Sequence, residues 1–277
     1  MMLSSVNQST RVFLALSACL IGAPAATCRA EKSPAPQYIN IAPLPGAGLA
    51  LDSEGRPDGQ GAMQVNIPVA YTPGADFVNV AAYSGQFEGH QSRPPWNNGT
   101  GVLGMGFGSW PRCYVSMMAV SSCLFSDSKA VNAQVQLTRE SANSPALAVG
   151  VQDILDKEHG DFSDAHNTGA GYYAVATKAF GVGGRTLYGT LGYGTGRFLD
   201  KPFGGLCAPV SDHLSLAAEY DGFQLNAGLG WRPGGRFSET TILAGYNAEA
   251  GPLVGVQTTG KASGWWAIPI LLAFLRR

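Results

Sequence analysis

The amino-acid sequence predicts an all-β protein, a single antiparallel transmembrane-type β-barrel of about twelve strands. Three observations carry that prediction. Segments of alternating apolar and polar residues follow one another along the chain, each roughly ten residues long, the length a tilted strand needs to cross a bilayer; soluble strands average about five or six. Charged residues make up only 13% of the 277 residues, where about 25% is usual for a soluble domain. The 37 glycines are nearly twice the usual share, and small inward residues let strands curve into closure. Hydrophobic residues are 45% and mean hydropathy is +0.03, which excludes a bundle of membrane helices. A net charge of −1 gives no reason to expect nucleic acid as a partner. The alternative fold is a soluble periplasmic β-sandwich that binds glycans.

Residues 1–30 read as a secretory signal peptide: a polar start ending in Arg11, the apolar "VFLALSACLIGAPAA", then small residues. Two processing sites compete. "TCRA" gives a mature start near Glu31, whereas "LSAC" resembles a bacterial lipobox and makes Cys19 a candidate for lipidation. Residues 31–60 are rich in Pro, Gly and Ala and read as a linker leading into the fold, with the barrel domain at 61–277.

The first expected strand is "GAMQVNIPVAY" (61–71), alternating Met63, Val65, Ile67, Val69 and Tyr71 with Gln64 and Asn66. Further strands are expected at 76–85, 99–110, 112–122, 129–140 and 145–154. Beyond the loop 155–170 they continue at 171–180, 185–196, 203–211, 238–247 and 251–260. Between the last three lies "LSLAAEYDGFQLNAGLGWRP" (214–233), read as a hairpin about Asp221-Gly222, a favoured type I′ dipeptide. That turn sets Tyr220 opposite Phe223, Ala218 opposite Leu225 and Glu219 opposite Gln224. One face is then greasy and the other small and polar. The final "GWWAIPILLAFLRR" is too short to span as a helix and is interrupted by Pro269; it reads as a closing strand or an interfacial segment.

Period-2 alternation assigns a lumen-facing set: Asn132, Gln134, Gln136, Glu219, Gln224 and Asn226. The set is amide-rich and nearly uncharged, which suits sugar hydroxyls better than small ions, and equally suits hydrogen-bonded packing in a closed lumen. Tyr172, Tyr173, Tyr188, Tyr193, Tyr220, Tyr246 and Trp231 lie near strand ends and are expected to form interfacial girdles.

Chemistry-bearing clusters are few. "DKEHGDFSDAH" (156–166) gathers carboxylates and two imidazoles, with a spacing that matches no recognised ligand loop. In "SDH" (211–213), Ser211 and His213 share a face while Asp212 points away, so no local triad forms. Cys113 and Cys123 would stand about 33 Å apart on one strand, too far to bridge. The expectation is a protein without catalytic residues, cofactor or metal.

"SPALAVGVQDI", "YYAVATKAF", "TLGYGTGRF", "FGGL" and "LSLAAEYDG", in that order, resemble the YjbH-like β-barrel proteins of exopolysaccharide loci. The leading "PLPGAGLALDSEGRPDGQGAMQVNIPVAYTP" resembles the segment preceding that family's first strand. The resemblance spans roughly residues 44–260. It implies an outer-membrane barrel, accessory or conduit in making or exporting a surface polysaccharide, with outer-membrane lipid, polysaccharide and periplasmic export proteins as partners. The chain is shorter than the two-barrel members, and Phe274 is followed by three more residues rather than ending the chain. A passive porin or a structural barrel is the runner-up.

Overall fold

The computed structural model describes residues 44–85, 99–120, 129–154, 170–248 and 251–261. Cys19, Cys123, the 156–166 cluster and the final Trp265–Phe274 run lie outside them. Twelve strands are present: β1 (Phe77–Gly85), β2 (Gly99–Phe107), β3 (Cys113–Val120), β4 (Lys129–Thr138), β5 (Ala146–Gln152) and β6 (Gly171–Val182). They continue as β7 (Arg185–Gly194), β8 (Lys201–Ser211), β9 (Leu214–Tyr220), β10 (Leu225–Trp231), β11 (Thr240–Asn247) and β12 (Gly251–Lys261). Each pairs antiparallel with its neighbour in sequence, and β1 also pairs with β12. The sheet therefore closes into a barrel and has no free edge. Closure rules out the sandwich.

The start of β1 and the end of β12 share one rim, here the near end. Turns at 108–112, 139–145, 183–184, 212–213 and 232–239 share it. The described connections 195–200 and 221–224 belong to the far end.

Alternation separates the two faces of the wall. Val80, Leu137, Val149, Leu191, Leu206, Leu216, Leu225, Val254 and Val256 are exposed on the outside, where Leu191 and Leu225 show about two thirds of their surface (67% and 68%). Tyr172, Tyr193 and Tyr246 stand out near the far rim; Trp110, Phe180, Trp231 and Phe237 do so near the near rim. Along β6, Tyr172 and Phe180 are eight residues apart, about 26 Å of strand and about 20 Å of height at barrel tilt. This is an apolar band between two aromatic rings. Tyr173 and Tyr188, expected in the girdles, instead turn inward, because in β6 and β7 they have the parity of the lumen residues Thr177 and Thr190.

Inward glycines make room for aromatic rings that lie along the inner wall. Gly255 sits opposite Tyr83, Gly150 opposite Tyr173 and Gly192 opposite Phe203. A Cβ at any of the three would come within 2.3 Å of the facing ring. The glycine excess is thus a packing requirement of a filled lumen as well as a curvature device.

Two corrections follow. The β9–β10 hairpin pairs Tyr220 with Leu225, Glu219 with Asn226 and Ala218 with Ala227, a slip of two residues from the type I′ register. Asp221 causes it: its carboxylate accepts the backbone N–H of Gln224 at 3.0 Å, and its own N–H donates to the Gln224 carbonyl, closing a four-residue turn with Gly222 at φ +102°. A two-residue slip preserves face, so the greasy side remains outside. The second correction concerns residues 44–73. The end of the expected linker and the expected first strand are not part of the wall; they fold inside the barrel as a plug. Leu51, Met63, Val65, Ile67, Val69 and Tyr71 are completely buried there, and so are Gln64 and Asn66. Both faces of this alternating segment are covered because the wall surrounds it.

Candidate functional site

The candidate site is the lumen where wall and plug meet. It has three parts: a self-bonded arm of the plug, a second arm held by the wall, and a cluster of charges near the far end.

The arm from residue 44 to 66 satisfies much of its own backbone. Gly48 N–H donates to the Gln64 carbonyl at 2.8 Å and Gln64 N–H to Gly46 at 2.9 Å. Leu51 and Ala62 exchange both bonds at 2.9 and 2.8 Å, and Asp58 N–H reaches Ala50 at 3.0 Å. Its tip at the near end is a turn over 52–56 in which the Asp52 carboxylate accepts the N–H groups of Glu54 and Arg56. Side chains of the wall grip this end: Arg112 pairs with Glu54, Ser215 donates to the Gly59 carbonyl, and Tyr188 donates to that of Gln60. Arg112 also lies over Trp110, as does Arg139. Further in, the arm rests on a bed of glycines. A Cβ at Gly205, Gly228 or Gly230 would strike Gln64, Val65 or Met63, respectively, at 2.4 to 2.6 Å.

The arm over 69–72 is different: its Val69 N–H donates to the Pro45 carbonyl of the first arm at 2.9 Å, and the wall supplies its other hydrogen bonds. Thr177 Oγ1 accepts from Ala70 N–H at 2.9 Å, and Gln136 Oε1 accepts from Thr72 N–H at 3.1 Å. Gln134 Nε2 donates to the Val69 carbonyl at 3.0 Å and to Thr72 Oγ1 at 2.7 Å, while Tyr173 OH donates to Gln134 Oε1 at 2.9 Å. Tyr71 donates its hydroxyl to Glu140, which also accepts from Ala179 N–H and pairs with Lys178 at 3.3 Å. Burial first, then the Glu140 carboxylate, push the Tyr71 phenol well above its ordinary range.

The charged cluster gathers Glu219, Asp221 and Arg197, each at most 3% exposed. The two Glu219 oxygens accept the consecutive N–H groups of Val65 and Asn66 at 2.8 and 2.6 Å. Asp221 Oδ2 accepts from the side-chain amides of Asn66 at 2.9 Å and Asn226 at 2.8 Å. Arg197 Nη2 stands 4.0 Å from the same oxygen, with its guanidinium over Phe198. Arg197 reaches inward because the 195–200 loop folds over the lumen, placing Leu199 and Asp200 at positive φ. Phe198 then stacks on Phe203, with ring centroids 4.3 Å apart.

All six expected lumen residues are buried in this structure. Gln134 and Gln136 hold the 69–72 arm; Glu219, Gln224 and Asn226 belong to the charged cluster, where Gln224 N–H and Nε2 meet Asp221. Asn132 takes part in neither, since it bonds Ser116 and the N–H of Asp153 within the wall. Sequence reasoning missed Asp221, taken as a turn residue, and Arg197, hidden in a glycine-rich stretch. It missed the plug altogether. Ser211 and His213 sit in the near-end turn with no triad: His213 N–H donates to Ser211 Oγ, and Asp212 bonds Gln60.

No family model and no curated protein matches the chain. Among solved structures it is similar to the crystal structure of an outer membrane channel from Pseudomonas putida F1, at 12% identity. The likeness covers 68% of this chain and 96% of that one, with a TM-score of 0.32.

Proposed function

We propose that this chain is an outer-membrane β-barrel that acts, without enzymatic chemistry, as a plugged conduit or accessory protein in exporting a surface polysaccharide. The observation that carries the reading is the closed twelve-strand wall: apolar outside between two aromatic rings, and filled inside by residues 44–73. A water-soluble barrel does not dress its outer wall in exposed Val and Leu. Short turns mark the periplasmic side in such barrels, and the near-end turns, such as 183–184 and 212–213, are short, so the plug's 52–56 turn faces the periplasm in this reading. The amides and tyrosines beneath the plug suit neutral hydroxyl-rich solutes, which is the feature that joins the barrel to the YjbH-like resemblance. Lipid surrounds the wall; polysaccharide and a periplasmic export protein are the partners in this reading.

The packed lumen speaks against an always-open porin. It also favours a second reading, a purely structural barrel, because a lumen occupied by residues 44–73 leaves little room for conduction at rest. The experiment is membrane fractionation with cold and boiled SDS gels, followed by planar-bilayer conductance of the purified chain and of a variant lacking residues 44–66. Outer-membrane recovery, a boiling-dependent shift, and stable conductance in the truncated form alone are expected. Soluble protein without a shift would overturn the barrel reading. A truncated barrel that inserts but never conducts would leave the structural barrel.

A further inference from the structure

We infer that the plug is divided into a releasable part, residues 44–66, and a retained part, residues 69–73, with Glu219 and Asp221 forming the clasp that holds the releasable part in place. The inference rests on the conduit reading and adds how such a conduit would open.

The hydrogen bonds make the division. Residues 46, 48, 50, 51, 58, 62 and 64 satisfy one another's backbone groups, so this part carries its pairing with it when it moves. Buried backbone groups must stay paired, and a self-paired module leaves a lumen at far lower cost than a wall-paired one. Ala70 N–H, Thr72 N–H and the Val69 carbonyl depend on Thr177, Gln136 and Gln134, and the segment leads into β1. Leaving would strip them of those partners. Between the two parts the backbone bond is Val69 N–H to the Pro45 carbonyl at 2.9 Å, which breaks when they separate.

In the deep lumen the backbone of the releasable part meets charged oxygens at one place, the Val65 and Asn66 N–H groups on Glu219. Elsewhere at that depth it meets the glycine bed and apolar side chains: Ala81, Tyr83, Ala217, Leu243 and Leu253. At the periplasmic rim it is held by two pairs, Arg112–Glu54 and Gln60–Asp212, whose plug-side partners are partly exposed, and by neutral hydrogen bonds from Ser215 and Tyr188 to the Gly59 and Gln60 carbonyls. On the far side of the clasp the 195–200 turn packs Arg197 and Phe198 against Asp221 and Gly222, while the 52–56 tip already lies at the near rim, so the way out is toward the periplasm.

Cys207 is a native reporter of this motion: its thiol is buried beneath the releasable part, 3.8 Å from the Gly61 carbonyl. In a Cys28→Ser, Cys113→Ser, Cys123→Ser chain reconstituted in outer-membrane-like vesicles, a small water-soluble thiol reagent measures how often residues 44–66 lift. Glu219→Gln removes two charge-assisted contacts to backbone N–H groups and is expected to raise the labelling rate roughly ten- to a hundredfold. The heat-dependent gel shift is expected to persist, which separates lifting from unfolding. A second reporter, Val175→Cys with Cys207→Ser, packs in the buried cluster with Val69, Ala70 and Tyr71 without carrying a hydrogen bond to them, and is expected to change less than about twofold.

The inference is overturned if Glu219→Gln leaves Cys207 labelling unchanged, or if both reporters respond equally, which would mean that the plug moves as one body. Conductance of the double variant Val65→Cys, Gly228→Cys, in a Cys207→Ser background, then tests opening. A disulfide between these positions is expected to abolish openings of the Glu219→Gln barrel, and reductant to restore them. Cys207 labelling without conductance in any variant would end the conduit reading while keeping the division of the plug. Conductance without labelling would do the reverse.

Discussion

The inner wall at β4–β6 and the inner wall at β8–β10 face the same plug and hold it in opposite ways. The first sector presents Gln134, Gln136, Tyr173 and Thr177, and spends them as hydrogen-bond partners for the backbone of residues 69–72. The second presents Gly205, Gly228 and Gly230 as a smooth bed, and concentrates its polarity in Glu219, Asp221 and Asn226. A wall that only needed to be filled would have no reason for this asymmetry. What it teaches is that burial alone does not describe how firmly a plug is held: residues 65 and 71 are equally buried, yet the backbone around 65 meets the wall's charge at Glu219 while the segment around 71 is bonded to the wall at Val69, Ala70, Tyr71 and Thr72.

The comparison breaks hardest at Asp221. Asp221→Ala removes an acidic neighbour of the buried Arg197 and an acceptor for the Asn66, Gln224 and Asn226 amides. Removing one side of a buried charged pair typically costs about 3–5 kcal/mol. The expected outcome is a heat-modifiable gel transition at clearly lower temperature; an unchanged transition would show that Arg197 is held by other groups. Next is Gln134→Leu in the opposite sector. It leaves Thr72, the Val69 carbonyl and the Tyr173 hydroxyl short of a partner, at about 2–4 kcal/mol summed over the groups stranded. Denaturant titration of the purified barrel reads this directly, and equal effects of Gln134→Leu and Gln136→Leu would blur the special place given to Gln134.

Much of the wall was legible in the sequence, for a reason the hairpin makes plain. Period-2 alternation assigns faces, and faces survive a slip of two residues, so Leu216 and Leu225 were placed outside even though the turn at Asp221 was read two residues too tight. The plug was illegible by the same rule. Met63, Val65, Ile67, Val69 and Tyr71 alternate as a wall strand does, and only the surrounding barrel reveals that both faces are covered. The Pro- and Gly-rich stretch before it resembles a linker because its tight turns need those residues. Gly46, Gly48 and Gly55 all adopt positive φ, in places where the plug doubles back against Val69, Tyr83 and Thr72. Of the clasp, Glu219 and Asn226 were visible as inward polar residues, but nothing local could show that Asp221 and Arg197 converge on them.

Two smaller effects sharpen the contrast between the bed and the rim. Gly228→Val puts a branched side chain where a single Cβ already lies 2.6 Å from Val65, and overpacking of this kind typically costs about 1–3 kcal/mol. The strain falls on the arm that rests there, so Cys207 is expected to label faster while the gel shift is kept; slower labelling would mean that the bed tightens rather than yields. Arg112→Ala at the rim is the mildest change. Its partner Glu54 is 44% exposed, so the ion pair itself is screened and worth about 0.5 kcal/mol. The Arg112 side chain is buried, donates to the Ser53 carbonyl and lies over Trp110, so lost packing adds to that. The gel transition should move by a few degrees, and raising ionic strength on the unaltered chain should reproduce only the ion-pair part. A large, salt-insensitive loss would place the grip on the plug at the rim instead of at Glu219, and the far-end clasp would then be a consequence of the plug's position and not its cause.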